Sequence, residues 1–287
     1  MNYRNLPNQV KIPSLGFGVF QISEKGATKQ AVLDAIKSGY RLIDTAASYG
    51  NEREVGEGIK EAIAQGIVTR DDLFITSKLW VDDVSATKTP QAIKDSLNRL
   101  QLDYLDLLLI HQPYNDVFGA WRAMEDAYSK GSLKAIGVSN FDIAQITNLA
   151  EFSKIKPMVD QIEVSPFEQN IEKVNYLNDY GVQVEAWAPF AEGKHDLFKN
   201  ELLQEIGDKY NKSIAQVILR WLCQRDIIPL SKSVKAERME QNIDVLDFKL
   251  SDEDMNKIAT LDRKESQFFD HHDPDMIKWM ASRTIEY

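Results

Sequence analysis

Short apolar runs recur along this chain, each followed by a longer amphipathic stretch, and that alternation restricts the fold more than any other feature. The runs are Leu15–Val19, Tyr40–Asp44, Leu73–Lys78, Leu105–His111, Lys134–Ser139, Met158–Glu163, Val182–Ala188 and Ile227–Leu230, and they read as strands. Between them "ATKQAVLDAIKSG", "NEREVGEGIKEAIAQG", "TKTPQAIKDSLNRLQ" and "YNDVFGAWRAMEDAYSKG" read as helices, several of them stopped by glycine. Strand-and-helix units roughly 25 to 40 residues long, eight in number, predict an α/β fold, the (β/α)8 TIM barrel, which takes about 250 residues. The 287 residues therefore suit one barrel domain spanning 1–287. The lead-in "YRNLPNQVKIPSLG" predicts a hairpin closing the barrel floor. The tail from about Lys264 carries no further unit and is expected as an irregular flap over the active-site mouth. A doubly wound open sheet would usually show Gly-x-Gly-x-x-Gly after its first strand, and "LGFGVF" lacks the third glycine.

Charge and cysteine content remove several function classes. A net charge of −10 argues against nucleic acid or an anionic membrane surface as the main partner. The polar N-terminus is no signal peptide, and no apolar run approaches the length of a membrane span, so a soluble, cytoplasmic protein is expected. The lone cysteine, Cys223, lies in the helical run "IAQVILRWLCQ" and is expected to be a buried small side chain. No histidine–cysteine cluster has metal-ligand spacing, and His271 and His272 are expected to be solvated in the tail. No large apolar patch forces assembly, so a monomer is the simplest expectation.

Three strands end on polar residues that belong together. Side chains alternate along a strand, so Leu42 shares a face with Asp44, Thr76 with Lys78, and Leu109 with His111. Asp44, Lys78 and His111 all fall at C-terminal strand ends, the rim on which β/α barrels build active sites. A lysine inside that rim needs a counter-charge, which Asp44 can supply. Tyr49, in the turn "DTAASYGNE", is then free to lean over the rim. A phenol has a pKa near 10. A neighbouring ammonium favours the phenolate and so is expected to lower it. Each of the four also has a plainer interpretation, as a structural ion pair, a core histidine or a surface ring. Together they would make a proton donor for a carbonyl receiving hydride. A second cluster, Lys232, Lys235 and Arg238 in "SKSVKAERMEQN", precedes and enters a predicted helix. Free helix amides and a guanidinium fork both suit a phosphate, although a solvated basic helix has the same composition.

These motifs carry a family likeness. "LGFGVF", "DTAASYGNEREVGEGI", "FITSKLW", "LDLLLIHQP", "IGVSNF", "DQIEVSPF", "WAPFAEG" and "PLSKSVKAERMEQN", in this order, resemble the aldo-keto reductases, and in particular the bacterial 2,5-diketo-gluconate reductase and prostaglandin F synthase-like branch. The resemblance runs from about Leu15 to Asn242. It implies a catalytic tetrad of Asp44, Tyr49, Lys78 and His111, with Tyr49 the general acid in reduction, Lys78 and Asp44 tuning it, and His111 orienting the carbonyl. It implies NADPH as cofactor. Ser139, Asn140 and Gln161 would hold the nicotinamide amide, and Trp187 would stack on the ring. Ala188, Pro189 and Phe190 would follow the cofactor. Lys232, Ser233 and Arg238 would bind the 2′-phosphate, Ser231 and Val234 would also meet the cofactor, and Gln241 and Asn242 would lie near the adenine. Ser231, Ala188 and Asp160 stand where relatives often carry proline, serine and asparagine.

Phe20, Trp80 and Gln112, at or just past strand ends, are expected to line a mouth for aldehyde or ketone substrates, with Phe268, Phe269 and Trp279 of the tail as lid contacts. Two other functions share some of these features. One is an NADPH-binding regulatory protein with little turnover, against which the intact tetrad counts. The other is a barrel aldolase using Lys78 as a Schiff base, against which the cofactor motifs count.

Overall fold

Parallel strands cannot be joined by tight hairpins and need crossovers, so the alternation in the sequence dictates the layering seen here. The computed structural model describes residues 2–285; of the expected span 1–287, residues 1, 286 and 287 lie outside them. An antiparallel pair, β1 (Tyr3–Asn5) and β2 (Lys11–Pro13), opens the chain. Then follow β3 (Gly16–Gly18), α1 (Ala27–Lys37), β4 (Leu42–Asp44), α2 (Glu52–Ala64), β5 (Phe74–Leu79), α3 (Thr89–Leu100), β6 (Leu107–Ile110), α4 (Val117–Ser129), β7 (Ile136–Ser139) and α5 (Ile143–Glu151). The second part contributes β8 (Val159–Glu163), α6 (Ile171–Asp179), β9 (Gln183–Trp187), α7 (Glu201–Tyr210), α8 (Ile214–Gln224), β10 (Ile227–Ser231), α9 (Ala236–Ile243), α10 (Asp252–Ala259) and α11 (Pro274–Ser282). The eight strands β3 to β10 close into a parallel barrel, β10 pairing with both β3 and β9.

Burial on both strand faces accounts for the near-continuous apolar character of "LLLI" and its counterparts, and every residue of β4 to β8 is buried. Helix starts are written locally. Asp142 accepts from Gln145 N at 2.7 Å while the Gln145 side chain accepts from Asp142 N at 2.9 Å, a reciprocal cap that begins α5. Ser213 and Gln216 repeat the device at α8. Neighbouring helices meet closely at Gly56, where a Cβ would lie 2.2 Å from the Leu100 carbonyl oxygen; any side chain there would force α2 away from the end of α3.

The expected hairpin sits at the barrel floor. Leu6 and Ile12 are buried, Asn8 donates to Lys134 O at 2.9 Å, and Arg4 donates to Cys223 O at 2.9 Å. Both acceptors precede barrel strands, which places the hairpin against the N-terminal end. Cys223 is buried as expected. No helix among the described residues is long and apolar enough to cross a membrane.

The tail departs from expectation by forming a helix, α11. Asp273 accepts from Asp275 N and Pro274 occupies the first turn, a start that "DPD" announces. The helix exists because it docks: Met280 is buried with Trp80 and Val81 in a small apolar cluster separate from the main core. Docking also changes His271. It is only partly exposed, with a buried Nε2 that has no hydrogen-bond partner, rather than solvated, whereas His272 stays mostly in water.

Candidate active site

The turn that carries Tyr49 is fixed by the residues around it. Asn51 donates to Val19 O at 3.0 Å and accepts from the Thr45 hydroxyl at 3.0 Å, so the loop after β4 is tied back to the loop after β3. Glu52, the first residue of α2, is buried and accepts from Ser77 Oγ at 2.6 Å, from Ser96 Oγ and from Arg99 Nε at 2.7 Å. Gly50 takes a left-handed φ of 70°, which lets the chain reverse immediately after Tyr49. Asn51 and Glu52 belong to the motif that marks the site, yet their work is to hold it.

On this frame Lys78 Nζ lies 2.6 Å from Asp44 Oδ1, 2.9 Å from Thr45 O and 3.3 Å from Tyr49 OH. The Lys78 side chain has no exposed surface and that of Asp44 is 5% exposed. Burial alone would pull the lysine pKa down; the Asp44 charge, Tyr49 and their hydrogen bonds outweigh it, and the ammonium is held above its ordinary value. Lys78 is therefore a fixed cation, which removes the free amine that a Schiff base needs.

Tyr49 corrects one sequence expectation. Its pKa is raised rather than lowered, because burial of the phenol dominates; Lys78 pulls it down and the Asp44 charge pushes it up. The phenol accordingly keeps its proton at neutral pH. His111 is held well below its ordinary pKa by burial and by the Lys78 and His271 charges, so its ring is neutral. Its Nδ1 lies 3.3 Å from Ser48 Oγ, a contact that sequence reasoning missed although Ser48 adjoins Tyr49. The Tyr49 and Trp80 rings meet the His111 ring edge-on at 5.7 and 5.6 Å between centroids. Phe20, half exposed, leans on Tyr49 at 4.8 Å. Gln112 is buried, and its Oε1 has no hydrogen-bond partner. The structure thus gathers Asp44, Tyr49, Lys78, His111, Phe20 and Trp80 into one group of contacts.

A second group continues from it across the barrel. Gln161 Nε2 donates to Asp44 Oδ2 at 2.9 Å and to Glu185 Oε2 at 2.8 Å. Ser139 Oγ donates to Gln161 O, Asn140 Nδ2 donates to Ser139 Oγ and His111 O, and Trp187 Nε1 donates to Asn140 Oδ1 at 2.8 Å. Asp160, on the same strand as Gln161, is fully buried with its carboxyl pushed up to about 7 by burial. Ala188 takes a left-handed φ of 48° directly after Trp187 and turns the chain through Pro189 and Phe190 over the rim. Glu163 was not singled out by sequence; it accepts from Ser266 Oγ at 2.6 Å and Gln267 N at 2.9 Å, binding the tail to the end of β8. The tail lies close: Phe268 meets Trp187 at 5.2 Å, and Phe269 packs with the Trp80 cluster. Between tail and rim a cavity of about 420 Å³ is lined by Asn140, Glu163, Lys173, Phe269 and His271, among others.

Lys232 and Arg238 form a third group, with α9. Both are exposed, and neither side chain has a hydrogen-bond or ion-pair partner among the described residues. Ser233 and Asn242 are buried and Val234 is exposed, while Gln241 lies on the outer face. Ser231 is buried and shares a hydrogen bond of 3.0 Å with Tyr40 OH on the outer side of the barrel, so its hydroxyl is spent on the barrel wall. No side chain caps the start of α9. Unneutralised cations beside uncapped amides suit a phosphate.

The profile of the Aldo/keto reductase family matches residues 14–263, and the chain belongs to this family. It is 47% identical over 261 residues to glyoxal reductase of Bacillus subtilis (strain 168), covering 91% of this chain and 92% of the relative. It is 40% identical to the 9,11-endoperoxide prostaglandin H2 reductase of Trypanosoma cruzi (strain CL Brener), covering 91% of each. The crystal structure of a Bombyx mori aldo-keto reductase in complex with NADP superposes with a TM-score of 0.90 at 36% identity and 96% coverage of both chains.

Proposed function

We propose that this chain reduces aldehydes and ketones to alcohols with NADPH, Tyr49 donating the proton. One observation carries this reading. Lys78 Nζ touches Asp44 and Tyr49 OH at once, on the C-terminal rim of a closed barrel, with a neutral imidazole beside them. The residues present also fit the cofactor: cations without partners at α9 for a phosphate, an indole at the rim, and the amides of Asn140 and Gln161 for a carboxamide. NADPH, when bound, supplies the hydride. Tyr49 protonates the carbonyl oxygen as negative charge gathers there, and the Lys78 ammonium stabilises the phenolate left behind. Asp44 keeps the ammonium in place. His111, uncharged, orients the carbonyl without adding a second cation. Trp80, Phe20 and Gln112 form an aromatic mouth with one polar contact, suited to small carbonyl compounds of mixed polarity. The chain acts as one barrel unit, as a monomer, in the cytoplasm.

The test follows NADPH absorbance with a panel of carbonyl compounds beginning with glyoxal, comparing the native chain with Tyr49→Phe. Native turnover that collapses in the variant is expected. Equal rates would remove Tyr49 as the acid, and tight NADPH binding without turnover across the panel would favour a regulatory protein.

A further inference from the structure

Glu185 has no place in the chemistry described so far. It is fully buried in β9, two residues before Trp187 on the same strand face, between the buried apolar Val184 and Ala186. A lone carboxyl in a barrel core is costly unless it is neutral and bonded. Burial and the neighbouring Asp44 charge raise its pKa to about 8, with Gln161 and the Lys78 ammonium drawing it back, so it is protonated at neutral pH. One of its oxygens accepts from Gln161 Nε2, and the other has no partner.

The consequence falls on Gln161. A primary amide has two N–H donors and one carbonyl acceptor. Asp44 and Glu185 take both donors, at 2.9 and 2.8 Å. The Gln161 carbonyl oxygen accepts no hydrogen bond among the described residues. With both carboxyl groups holding the nitrogen, rotating the amide by half a turn would set its oxygen against the charged Asp44 carboxylate and break both donated bonds. We propose that Glu185 is a positioning residue that, with Asp44, locks the Gln161 amide so that its carbonyl oxygen is a pre-set acceptor for the carboxamide N–H of the nicotinamide. The lock makes the proton-donating group and the cofactor clamp share one residue, since Asp44 holds both Lys78 and Gln161. This inference rests on the NADPH-dependent reading above.

The experiment measures equilibrium binding to the full chain, by quenching of tryptophan fluorescence, of NADPH and of 2′-phospho-ADP-ribose, which lacks the nicotinamide. The native chain is compared with Glu185→Leu and Glu185→Gln. In the leucine variant NADPH affinity is expected to fall about tenfold, the scale of one misdirected hydrogen bond, with the fragment's affinity unchanged. Glu185→Gln, whose carbonyl can still accept from Gln161, is expected to bind NADPH within about twofold of native. In a Gln161→Ala background, Glu185→Leu is expected to cost nothing further, because the lock has nothing left to hold. Glu185→Met replaces the leucine variant if that chain does not fold. Unchanged NADPH affinity in the leucine or methionine variant overturns the proposal, as does an equal loss for both ligands, which would make Glu185 a support of the barrel as a whole. A native chain that binds neither ligand overturns the NADPH reading itself, and this one with it.

Discussion

Lys78 and Lys232 carry the same charge at the same rim in opposite ways. Lys78 is sealed from water and held by an aspartate, a carbonyl oxygen and a phenol. Lys232 is exposed and, with Arg238, has no partner among the described residues. The first arrangement is finished before any ligand arrives, and its strength comes from low local polarity and fixed geometry. The second leaves two cations open, which under the proposed NADPH reading the cofactor's phosphate would complete. Under the proposed function, chemistry is pre-built on one side of the barrel, whereas cofactor grip is held open on the other.

The sharpest way to break the buried side is Tyr49→Phe, which leaves the ring and takes the proton; kcat is expected to fall about 10³-fold with NADPH affinity unchanged, measured by steady-state turnover and binding. The pH dependence should follow the same group. With its pKa raised, Tyr49 is protonated in the neutral range, so reduction should fall only as pH rises through the alkaline range, while alcohol oxidation, which needs the phenolate, should rise across it. Next is Asp44→Asn, which leaves a buried ammonium without its counter-charge. A stability loss of about 3 to 5 kcal/mol in urea melts is expected, together with loss of turnover.

On the open side, Lys232→Ala and Arg238→Ala together should raise KM for NADPH about 30-fold and leave kcat and KM for NADH nearly unchanged, as expected for two charge-assisted contacts to a phosphate. Added salt should weaken NADPH binding in the native chain more than in this double variant. The smallest effect should come from Trp80→Phe, which keeps the ring and removes the indole bond to Arg283 O at 3.1 Å. A few-fold rise in KM for bulkier carbonyl substrates, at unchanged kcat, would tie the tail to the mouth.

The buried side was the more legible in sequence. Asp44, Lys78 and His111 are polar residues closing apolar strands, and strand geometry alone assembles them. The direction of the Tyr49 pKa was not legible, because it depends on how deeply a turn residue sinks, which no pattern encodes. Helix α11 was overlooked because nine residues with a mixed face have little propensity of their own; it is held by Trp80 and Val81, remote in sequence. Glu185 and Ser48 were missed for different reasons. Glu185 lies inside a strand rather than at its end, and Ser48 is one small polar residue in a small, polar turn. The loop after β9 was also beyond reach, since only one of its left-handed residues is a glycine, Gly193, and the rest fall on Ala188, Ala191, Glu192, His195 and Asp196.

Several of the hydrogen bonds that fasten the tail to the barrel run through the tail's own main chain. Trp80 donates to the Arg283 carbonyl, Tyr114 to that of His271 and Lys194 to that of Gln267, while Glu163 accepts from the Gln267 amide. Every residue type supplies that carbonyl, and all but proline supply the amide. Tail side chains other than docked ones such as Met280 and Ser266 can therefore be exchanged without loosening these main-chain anchors, and the barrel side contributes the specific partners. Descendants of this chain could thus remodel the surface beside the rim through the tail, generation after generation, and inherit the Asp44, Tyr49 and Lys78 cluster unchanged.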